Sequence, residues 1–282
     1  MKLIDFAEKT LIKSYLKNYH PHFSEYSFTY LFIYSEYASL ELFNDPFPFI
    51  KSVREKDAFL MPLIDCKTIS PQHLANTLSI HQSSLYPLDS FSAKYLEREN
   101  FHVKEEINYT EYVYLTEKLA FLRGAKLEKK RNRLHHFKTN YNFNVASITQ
   151  ENISDCLIVL NAWLKQSTMN KDTTDYHACL KALNHFNDLM LIGRLTYVEG
   201  KPISFGFGEK RPNGTFNFHF VKGCKKYKGI YEHIYSDMAK HLLNICNEIS
   251  LEEDLGIESL KKAKLAYHPD RMIKKFSANV IL

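Results

Sequence analysis

The sequence predicts an α/β protein of the α+β kind, in which mixed, mostly antiparallel sheets are flanked by helices. Short apolar strands alternate with amphipathic helices along the chain, and two tight turns, Glu199-Gly200 and Asn213-Gly214, join three successive strands between residues 189 and 221. The chain has 282 residues, of which 45% are hydrophobic and 24% charged, so it can form one large domain or two modest ones with a sizeable core.

The first half combines helices and strands in an order that indicates no particular activity. An amphipathic N-terminal helix precedes an aromatic segment, residues 26–34, which suits either a helix or a strand. The remaining predicted elements are strands at 38–43 and 58–64, a helix that begins at Pro71, a strand at 84–87, a helix at 92–99, and strands at 101–107 and 111–116.

The excess of positive over negative charge lies in one predicted helix, residues 119–138. Between Arg123 and Lys138 there are seven Lys or Arg residues and one acid, Glu128, so this segment accounts for the whole net charge of +5. The helix is expected to link the two halves of the chain. Its charge suits either a solvated amphipathic helix or a surface for a polyanion, such as RNA, cofactor phosphates or anionic headgroups.

The second half has a clearer order of elements. A strand and two helices precede the three-stranded antiparallel segment, and a helix, a strand, a helix and a strand follow it. The predicted ranges are 143–148, 153–165, 174–186 with Asp172 or Thr173 as the cap, 189–198, 203–209, 216–221, 229–246, 249–251, 257–265 and 276–281.

Acidic and basic residues converge after the strand at 249–251. Three carboxylates follow its carboxyl end, and two lysines lie on one flank of the next helix: Glu252, Glu253, Asp254, Lys261 and Lys264. Ligands tend to bind beyond the carboxyl ends of strands in open α/β sheets. The alternative is structural, with Asp254 as an ordinary N-cap and Glu258 with Lys262 as a surface pair.

The run from 252 to 269, Glu-Glu-Asp-Leu-Gly-Ile-Glu-Ser-Leu-Lys-Lys-Ala-Lys-Leu-Ala-Tyr-His-Pro, resembles the signature of a bacterial family related to the C-terminal domain of phosphatidylglycerol lysyltransferases. Three further segments agree with that family in order: 112–115, 129–132 with Phe137-Lys138 after it, and His219 with Lys222 leading to 228–231. The resemblance implies two tandem GNAT-like (N-acetyltransferase-like) domains, expected at 1–118 and 141–282 and joined by a basic helix at 119–140. Transferases that take amino acids from aminoacyl-tRNA share this architecture.

The loop from 222 to 229 is the predicted phosphate site, because a glycine-bearing basic loop leads there into a helix N-terminus. A basic surface turn is the alternative. With the family motifs, the expected donor-binding residues are Lys225, Lys226, Lys228, Gly229, Lys130, Arg131, Asn132 and Lys264.

The predicted chemistry is acyl transfer without a covalent enzyme intermediate. The expected catalytic residues are His219, Lys222, Glu252, Glu253, Asp254 and Tyr267. A carboxylate or His219 would take the proton of an attacking amine, and Lys222 or backbone N–H groups would stabilise the oxyanion. A structural role is the alternative for a single histidine. The 13 histidines show no metal-ligand spacing, so no metal is expected.

Several positions depart from the family pattern. Val221 stands where a glutamate is expected, Ser250 and Leu251 replace Asn and Arg, and Leu127-Glu128 replaces Tyr-His. Either the substrate differs from that of the relatives or catalysis has been lost.

The sequence therefore favours an acyltransferase that moves an aminoacyl group from aminoacyl-tRNA to an amine or a hydroxyl, such as a small amine or a lipid headgroup. The alternatives are an acyl-CoA-dependent N-acyltransferase and a non-catalytic module that binds RNA or an anionic surface. No tightly bound cofactor is expected. The longest apolar run, 58–64, is far shorter than the roughly twenty residues that span a bilayer, and five scattered cysteines fit a reducing cytoplasm.

Overall fold

The computed structural model describes residues 2–19, 21–54, 57–166 and 170–281. Its contacts divide the chain into two compact units. The first comprises Met1–Glu111, Glu253–Gly256 and Ile273–Leu282, and the second comprises Tyr112–Glu252 and Ile257–Met272. These limits differ from the expected boundaries at 118 and 141, because two late segments of the chain belong to the first unit.

Strands and α-helices within the described ranges are numbered in chain order. The strands are β1 (Glu41–Phe43), β2 (Phe49–Arg54), β3 (Asp57–Pro62), β4 (Ser84–Leu88), β5 (Phe101–Glu105), β6 (Glu111–Leu115), β7 (Phe143–Ser147), β8 (Ile192–Val198), β9 (Lys201–Lys210), β10 (Thr215–Gly223), β11 (Glu248–Glu253), β12 (Arg271–Ile273) and β13 (Phe276–Val280). The helices are α1 (Lys9–Asn18), α2 (Phe28–Ile33), α3 (Pro71–His81), α4 (Ser90–Arg98), α5 (Thr116–Phe121), α6 (Glu128–Asn140), α7 (Ile153–Lys165), α8 (Tyr176–Asn184), α9 (Ile230–Leu242) and α10 (Glu258–Leu265).

The first unit contains a six-stranded sheet in the order β1-β2-β3-β4-β13-β5. Its β3–β4 pair is parallel, and its other pairs are antiparallel. The expectation that the last strand closes the second half is wrong, since Ala278 of β13 pairs with Leu85 of β4 and Val103 of β5. Ala278 is fully buried in the core of this unit. Strand pairing over such a sequence distance leaves no local signal in the order of elements.

The second unit contains a seven-stranded sheet in the order β12-β6-β11-β10-β9-β8-β7. The prediction that the strand at 111–116 completes the first half is therefore wrong, because β6 lies beside β11. Strands β7 to β10 are antiparallel neighbours, whereas β10 and β11 are parallel. This last pairing covers only Thr215–Asn217 and Glu248–Ser250, and β10 carries a bulge between Asn217 and Phe220.

The basic stretch forms two helices rather than the predicted single linker. Helix α5 ends at Phe121, its C-cap Leu122 has a φ of 50°, and Gly124 has a φ of 90° before α6 begins. Both torsions lie in the left-handed region, so an α-helix cannot continue through them. Leu134 and Phe137 of α6 are buried in the core of the second unit. The basic helix is thus an integral part of that unit.

None of the helices in the described ranges combines the length and the apolar composition that crossing a membrane requires.

Candidate functional site

A cavity lies where the 222–229 loop enters helix α9. It has a volume of about 210 Å³ and is lined by Arg133, Lys225, Tyr227, Lys228, Gly229, Ile230, Tyr231 and Glu232. Gly229 precedes α9 with a φ of 88°, and a Cβ built there would lie 2.1 Å from the backbone oxygen of Arg133. Only glycine fits this close approach. The structure therefore brings together three predicted donor-binding residues: Lys225, Lys228 and Gly229.

One carboxylate already lies at this cavity. Glu232, in the first turn of α9, is buried and is paired with Lys130 Nζ at 3.2 Å and Arg133 Nη1 at 3.5 Å. Lys130 also lies 4.2 Å from the ring centre of Tyr267. The hydroxyl of Tyr267 is buried without a hydrogen-bond partner among the described residues, and burial raises its pKa well above the ordinary value. Lys130 thus contacts Glu232, which lines the cavity, and Tyr267 contacts Lys130, but neither Lys130 nor Tyr267 lines the cavity itself.

The other predicted donor-binding residues are engaged elsewhere or exposed. Arg131 donates to two backbone carbonyls after α5, at 2.8 and 3.0 Å. Lys264 donates to the backbone carbonyls of Leu251 and Glu252, at 2.5 and 3.0 Å. Lys226 lies over a tyrosine ring, and Asn132 is exposed. None of these four lines the cavity.

A second polar group lies on strands β9, β10 and β11. His219 Nδ1 is 2.7 Å from Glu252 Oε1, and its Nε2 is 3.2 Å from Glu209 Oε1. The imidazole is fully buried. Burial lowers the pKa of His219, but the charges of the two carboxylates and their hydrogen bonds outweigh it and raise the pKa to about 10. At neutral pH His219 is an imidazolium, so this geometry does not support the expected role as a general base.

The local backbone explains why these side chains meet. Asn217, next to the bulge in β10, is paired with Glu209 on β9 and with Ser250 on β11. Paired residues of neighbouring strands present their side chains on the same face of a sheet. Glu252 has a φ of 57°, and its N–H is donated to Ser250 Oγ at 3.1 Å. The left-handed torsion turns the chain at Glu252, where its carboxylate meets His219.

Lys222 is committed to a different pair. Its Nζ donates to both carboxylate oxygens of Asp175 at 2.7 and 2.6 Å, and it lies 3.8 Å from the ring centre of Trp163. Only 5% of the Lys222 side chain is exposed. An ammonium already paired with a carboxylate is poorly suited to stabilising a second negative charge, so the predicted oxyanion role lacks support here.

The three carboxylates at 252–254 do not form one site. Glu253 belongs to the first unit, where its carboxylate is 2.7 Å from Lys275 Nζ. Asp254 accepts a hydrogen bond from the N–H of Gly256 at 2.8 Å. The N-cap of α10 is Ile257, so Asp254 stabilises the turn rather than the helix. The surface pair of Glu258 with Lys262, at 3.3 Å, is present as the structural alternative predicted.

Lys275 occupies the centre of a buried acidic cluster in the first unit. Its Nζ lies 2.7 Å from Glu25, 2.8 Å from Glu111 and 2.7 Å from Glu253. Burial lowers the pKa of Lys275, but the three carboxylates outweigh it and raise the pKa well above the ordinary value. These carboxylate oxygens are close enough together to ligate a cation. The ammonium of Lys275 already fills that role.

Sequence reasoning missed several residues of these groups, namely Glu209, Asn217, Asp175 and Glu232. A signal existed for the first two, because the predicted Asn213-Gly214 turn brings 209–210 opposite 216–217. Asp175 lies directly before α8, and no motif surrounds it in the sequence. Glu232 lies in a predicted amphipathic helix, where an acidic residue is ordinary and indicates no site. The predicted caps of α8, Asp172 or Thr173, are also wrong, since its N-cap is Asp175 and no side chain bonds there.

Solved structures show the same fold. The chain is similar, with a TM-score of 0.85 and 27% identity, to a conserved protein of unknown function from Bacteroides thetaiotaomicron, over 99% of each chain. It is similar to L-PGS from Bacillus licheniformis with a TM-score of 0.64 and 11% identity, over 99% of this chain and 93% of that one. A tandem GNAT protein from the clavulanic acid biosynthesis pathway matches with a TM-score of 0.53 and 8% identity, over 97% and 95%. The predicted tandem GNAT-like fold is thereby confirmed.

One curated relative is an uncharacterized protein of Mycoplasmoides gallisepticum. It is 25% identical over 177 residues, which are 61% of this chain and 56% of the relative. The chain thus spans little more than half the length of that relative. The model of the family described as "Phosphatidylglycerol lysyltransferase, C-terminal" matches residues 17–279. Because this match covers nearly the whole chain, the protein belongs to the phosphatidylglycerol lysyltransferase C-terminal family.

Proposed function

We propose that this protein transfers an aminoacyl group from aminoacyl-tRNA to an amine or hydroxyl acceptor. The observation that carries the proposal is the cavity at the N-terminus of α9, with Arg133, Lys225 and Lys228 in its wall. The N-terminus of a helix favours anions through its dipole and its outward N–H groups, and α9 is long enough, at 13 residues, to have a substantial dipole. These features suit a phosphate-bearing donor.

Glu232 favours RNA over coenzyme A as that donor. Its buried carboxylate already pairs with Lys130 and Arg133 at the start of α9. A pyrophosphate would bring concentrated negative charge close to this carboxylate, which costs free energy. The RNA backbone instead spreads single charges over a longer path, and exposed lysines on the same basic stretch, such as Lys126 and Lys129, extend the cationic surface.

The Glu209–His219–Glu252 group provides the acid–base chemistry in this proposal. Because His219 is held as an imidazolium, the proton of the attacking acceptor goes to one of its carboxylate partners. The side chain of Glu209 is 15% exposed and that of Glu252 is 10% exposed. The ester bond of the donor breaks, an amide or ester forms on the acceptor, and the proton passes to the released tRNA hydroxyl. No covalent enzyme intermediate is required.

Ligand-induced thermal stabilisation separates the two donors. Bulk aminoacylated tRNA should raise the melting temperature strongly at low salt and weakly at physiological salt, since counterion release drives its binding. Acetyl-CoA should have no effect. A shift with acetyl-CoA alone would make this an acyl-CoA enzyme, and no shift with either ligand would contradict the proposed donor class.

A charge-matched pair of variants locates the binding surface. The double variant Lys225→Gln/Lys228→Gln should reduce the slope of log affinity against log salt by roughly 1.4 to 1.8, the value for two phosphate contacts. The control Lys201→Gln/Lys262→Gln removes two exposed lysines outside the cavity and should leave the slope unchanged. Equal effects of the two double variants would argue against a localised donor site.

Transfer itself is measured with radiolabelled aminoacyl-tRNA and two acceptors, phosphatidylglycerol vesicles and a small primary amine. Glu252→Gln should lower the rate by at least tenfold while tRNA binding persists, because proton transfer commonly contributes a hundredfold or more. Salt-sensitive binding without transfer to either acceptor would favour the non-catalytic RNA-binding module.

A further inference from the structure

A polar surface lies on one side of helix α9, towards its C-terminal end. His233, Asp237 and His241 follow one another at intervals of four residues, and Lys240 comes three residues after Asp237, so these side chains share one face of the helix. Arg194 of β8 reaches this face, since its Nε donates to Asp237 Oδ2 at 2.8 Å. The C-terminal half of α9 thus places acidic, basic and imidazole groups beside strand β8.

Helix α6 adds a further lysine to this surface. Phe137 stacks on His233 with 4.5 Å between the ring centres, and Lys138 follows it directly in the sequence. The ammonium groups of Lys138 and Lys240 lie side by side, and partial burial together with the charge of Lys240 lowers the pKa of Lys138. Neither ammonium forms an ion pair with a carboxylate among the residues that the structure describes.

The positive charges of this group exceed the negative ones by two. Lys138, Lys240 and Arg194 are cations, and within the described ranges Asp237 is the carboxylate that acts on them. Both histidines of the α9 face are uncharged at neutral pH, since burial lowers their pKa, to about 4 in His233. Adjacent like charges repel one another, so an anion bound between them would stabilise the group.

We propose that Lys138, Lys240 and Arg194 bind a phosphate dianion, either inorganic phosphate or the phosphate of a monoester. The two ammonium groups donate to its oxygens. Arg194 provides the third donor through Nη2, because its Nε is bonded to Asp237 and its Nη1 to Ser147 Oγ at 3.2 Å. Such a phosphate carries nearly two negative charges at neutral pH, which matches the excess of two positive charges. A phosphodiester of RNA carries one.

This site is separate from the cavity at the start of α9 and does not rest on the proposed function. From Gly229 to Lys240 the helix rises by roughly 16 Å along its axis. None of the three proposed ligands lines the cavity. Lys138 and Lys240 are exposed, and the Arg194 side chain is 20% exposed, so an anion reaches the group from solvent.

A structural role is the alternative for both lysines. Lys138 lies in the last turn of α6 and Lys240 in the last turn of α9, where cations interact favourably with the helix dipole. In that role their removal would lower the melting temperature and leave the response to phosphate unchanged. In the proposed role, Lys138→Gln/Lys240→Gln melts no lower than the wild type in phosphate-free buffer, because the repulsion between the two ammonium groups is relieved.

Calorimetry at constant ionic strength tests the site with three probes: inorganic phosphate, glycerol 3-phosphate and dimethyl phosphate. The wild type should bind the two dianions and discriminate against dimethyl phosphate, a singly charged diester, by about tenfold or more. Lys138→Gln/Lys240→Gln should weaken binding of the dianions by a similar factor. Equal affinities of this variant and the wild type would overturn the proposal. The tighter of the two dianions identifies the source of the phosphate group, a free ion or a monoester.

The variant Asp237→Asn tests the charge balance in the opposite direction. It removes the carboxylate that opposes an anion here, so it should tighten binding of inorganic phosphate severalfold. Weaker or unchanged binding in Asp237→Asn would show that phosphate does not occupy this group of charges.

The cavity variant Lys225→Gln/Lys228→Gln separates the two sites. It should bind phosphate as the wild type does. A loss of phosphate binding in the cavity variant but not in Lys138→Gln/Lys240→Gln would place the anion in the cavity and overturn the proposal. A loss of tRNA binding in Lys138→Gln/Lys240→Gln without any change in phosphate affinity would assign the surface to RNA and overturn it as well. Absence of aminoacyl transfer contradicts the proposed function alone.

Discussion

Lys275 provides the sharpest test of how buried charge supports this fold. The variant Lys275→Met keeps a long apolar side chain but removes the ammonium among Glu25, Glu111 and Glu253. Its side chain is 0% exposed, and those of its partners are at most 5% exposed. Removing one partner of a buried ion pair typically costs about 3 to 5 kcal/mol. Here three carboxylates lose their cation at once, so the cost should reach at least that range.

The neighbouring residue offers a matched control. Lys274 pairs with Glu105 at 3.1 Å, but its side chain is 61% exposed. Exposed pairs contribute about 0 to 1 kcal/mol, so Lys274→Met should be nearly neutral. Urea denaturation at neutral pH gives both free energies of unfolding. A loss in Lys275→Met no larger than in Lys274→Met would refute the electrostatic role of the cluster.

The cost in Lys275→Met should also depend on pH. Without the ammonium the three carboxylates repel one another, and protonation at acidic pH relieves that repulsion. The difference in unfolding free energy from the wild type should therefore shrink between pH 8 and pH 5. Glu253→Gln added to Lys275→Met should recover part of the loss, because the two sites share one interaction. A difference that does not vary with pH would indicate lost packing instead.

Three further predictions follow from the second unit. Because the pKa of His219 is raised to about 10, its charge stabilises the fold fully below about pH 6.5, and this contribution declines as the pH rises towards 10; between pH 7 and pH 10 the wild type should lose more stability than His219→Gln in urea titrations. Gly229→Ala should lower the free energy of unfolding by several kcal/mol more than Gly214→Ala does in the same assay. The φ of Gly229 is 88° and that of Gly214 is 85°, but only a Cβ on Gly229 would meet a backbone oxygen. Equal losses would show that the backbone near Gly229 shifts to make room for the added Cβ. Lys222→Met should change the fluorescence of Trp163, the one tryptophan in the sequence, and an unchanged spectrum would contradict the contact at 3.8 Å.

Local patterns in the sequence predicted most individual elements. The Asn213-Gly214 turn and the helix beginning at Pro71 both appear, because their signals are local and depend on backbone torsion preferences. The sequence did not predict which sheet a strand joins. The last strand, β13, has the alternation of any half-buried strand, and only its partners β4 and β5 assign it to the first unit.

The candidate site was predictable where its residues lie close together in sequence. Lys225, Lys228 and Gly229 are within five residues of one another, and a basic loop before a helix has a direct physical interpretation. The partners of His219 are different, because Glu209 and Glu252 reach it only through the pairing of three strands. Adjacent carboxylates in the sequence, Glu252 and Glu253, belong to different units. A run of acids therefore does not reveal which of them share a site.

The departures from the family pattern acquire a physical meaning in this arrangement. Ser250 replaces an expected Asn, and its hydroxyl holds the backbone N–H of Glu252, whose left-handed torsion presents the carboxylate to His219. Val221 stands where a glutamate is expected, yet His219 has two carboxylate partners without it, one from β9 and one from β11. The substitutions thus leave both ring nitrogens of the histidine paired with carboxylates. The buried histidine therefore does not depend on the family's glutamate for its partners, because strands β9 and β11 supply both carboxylates.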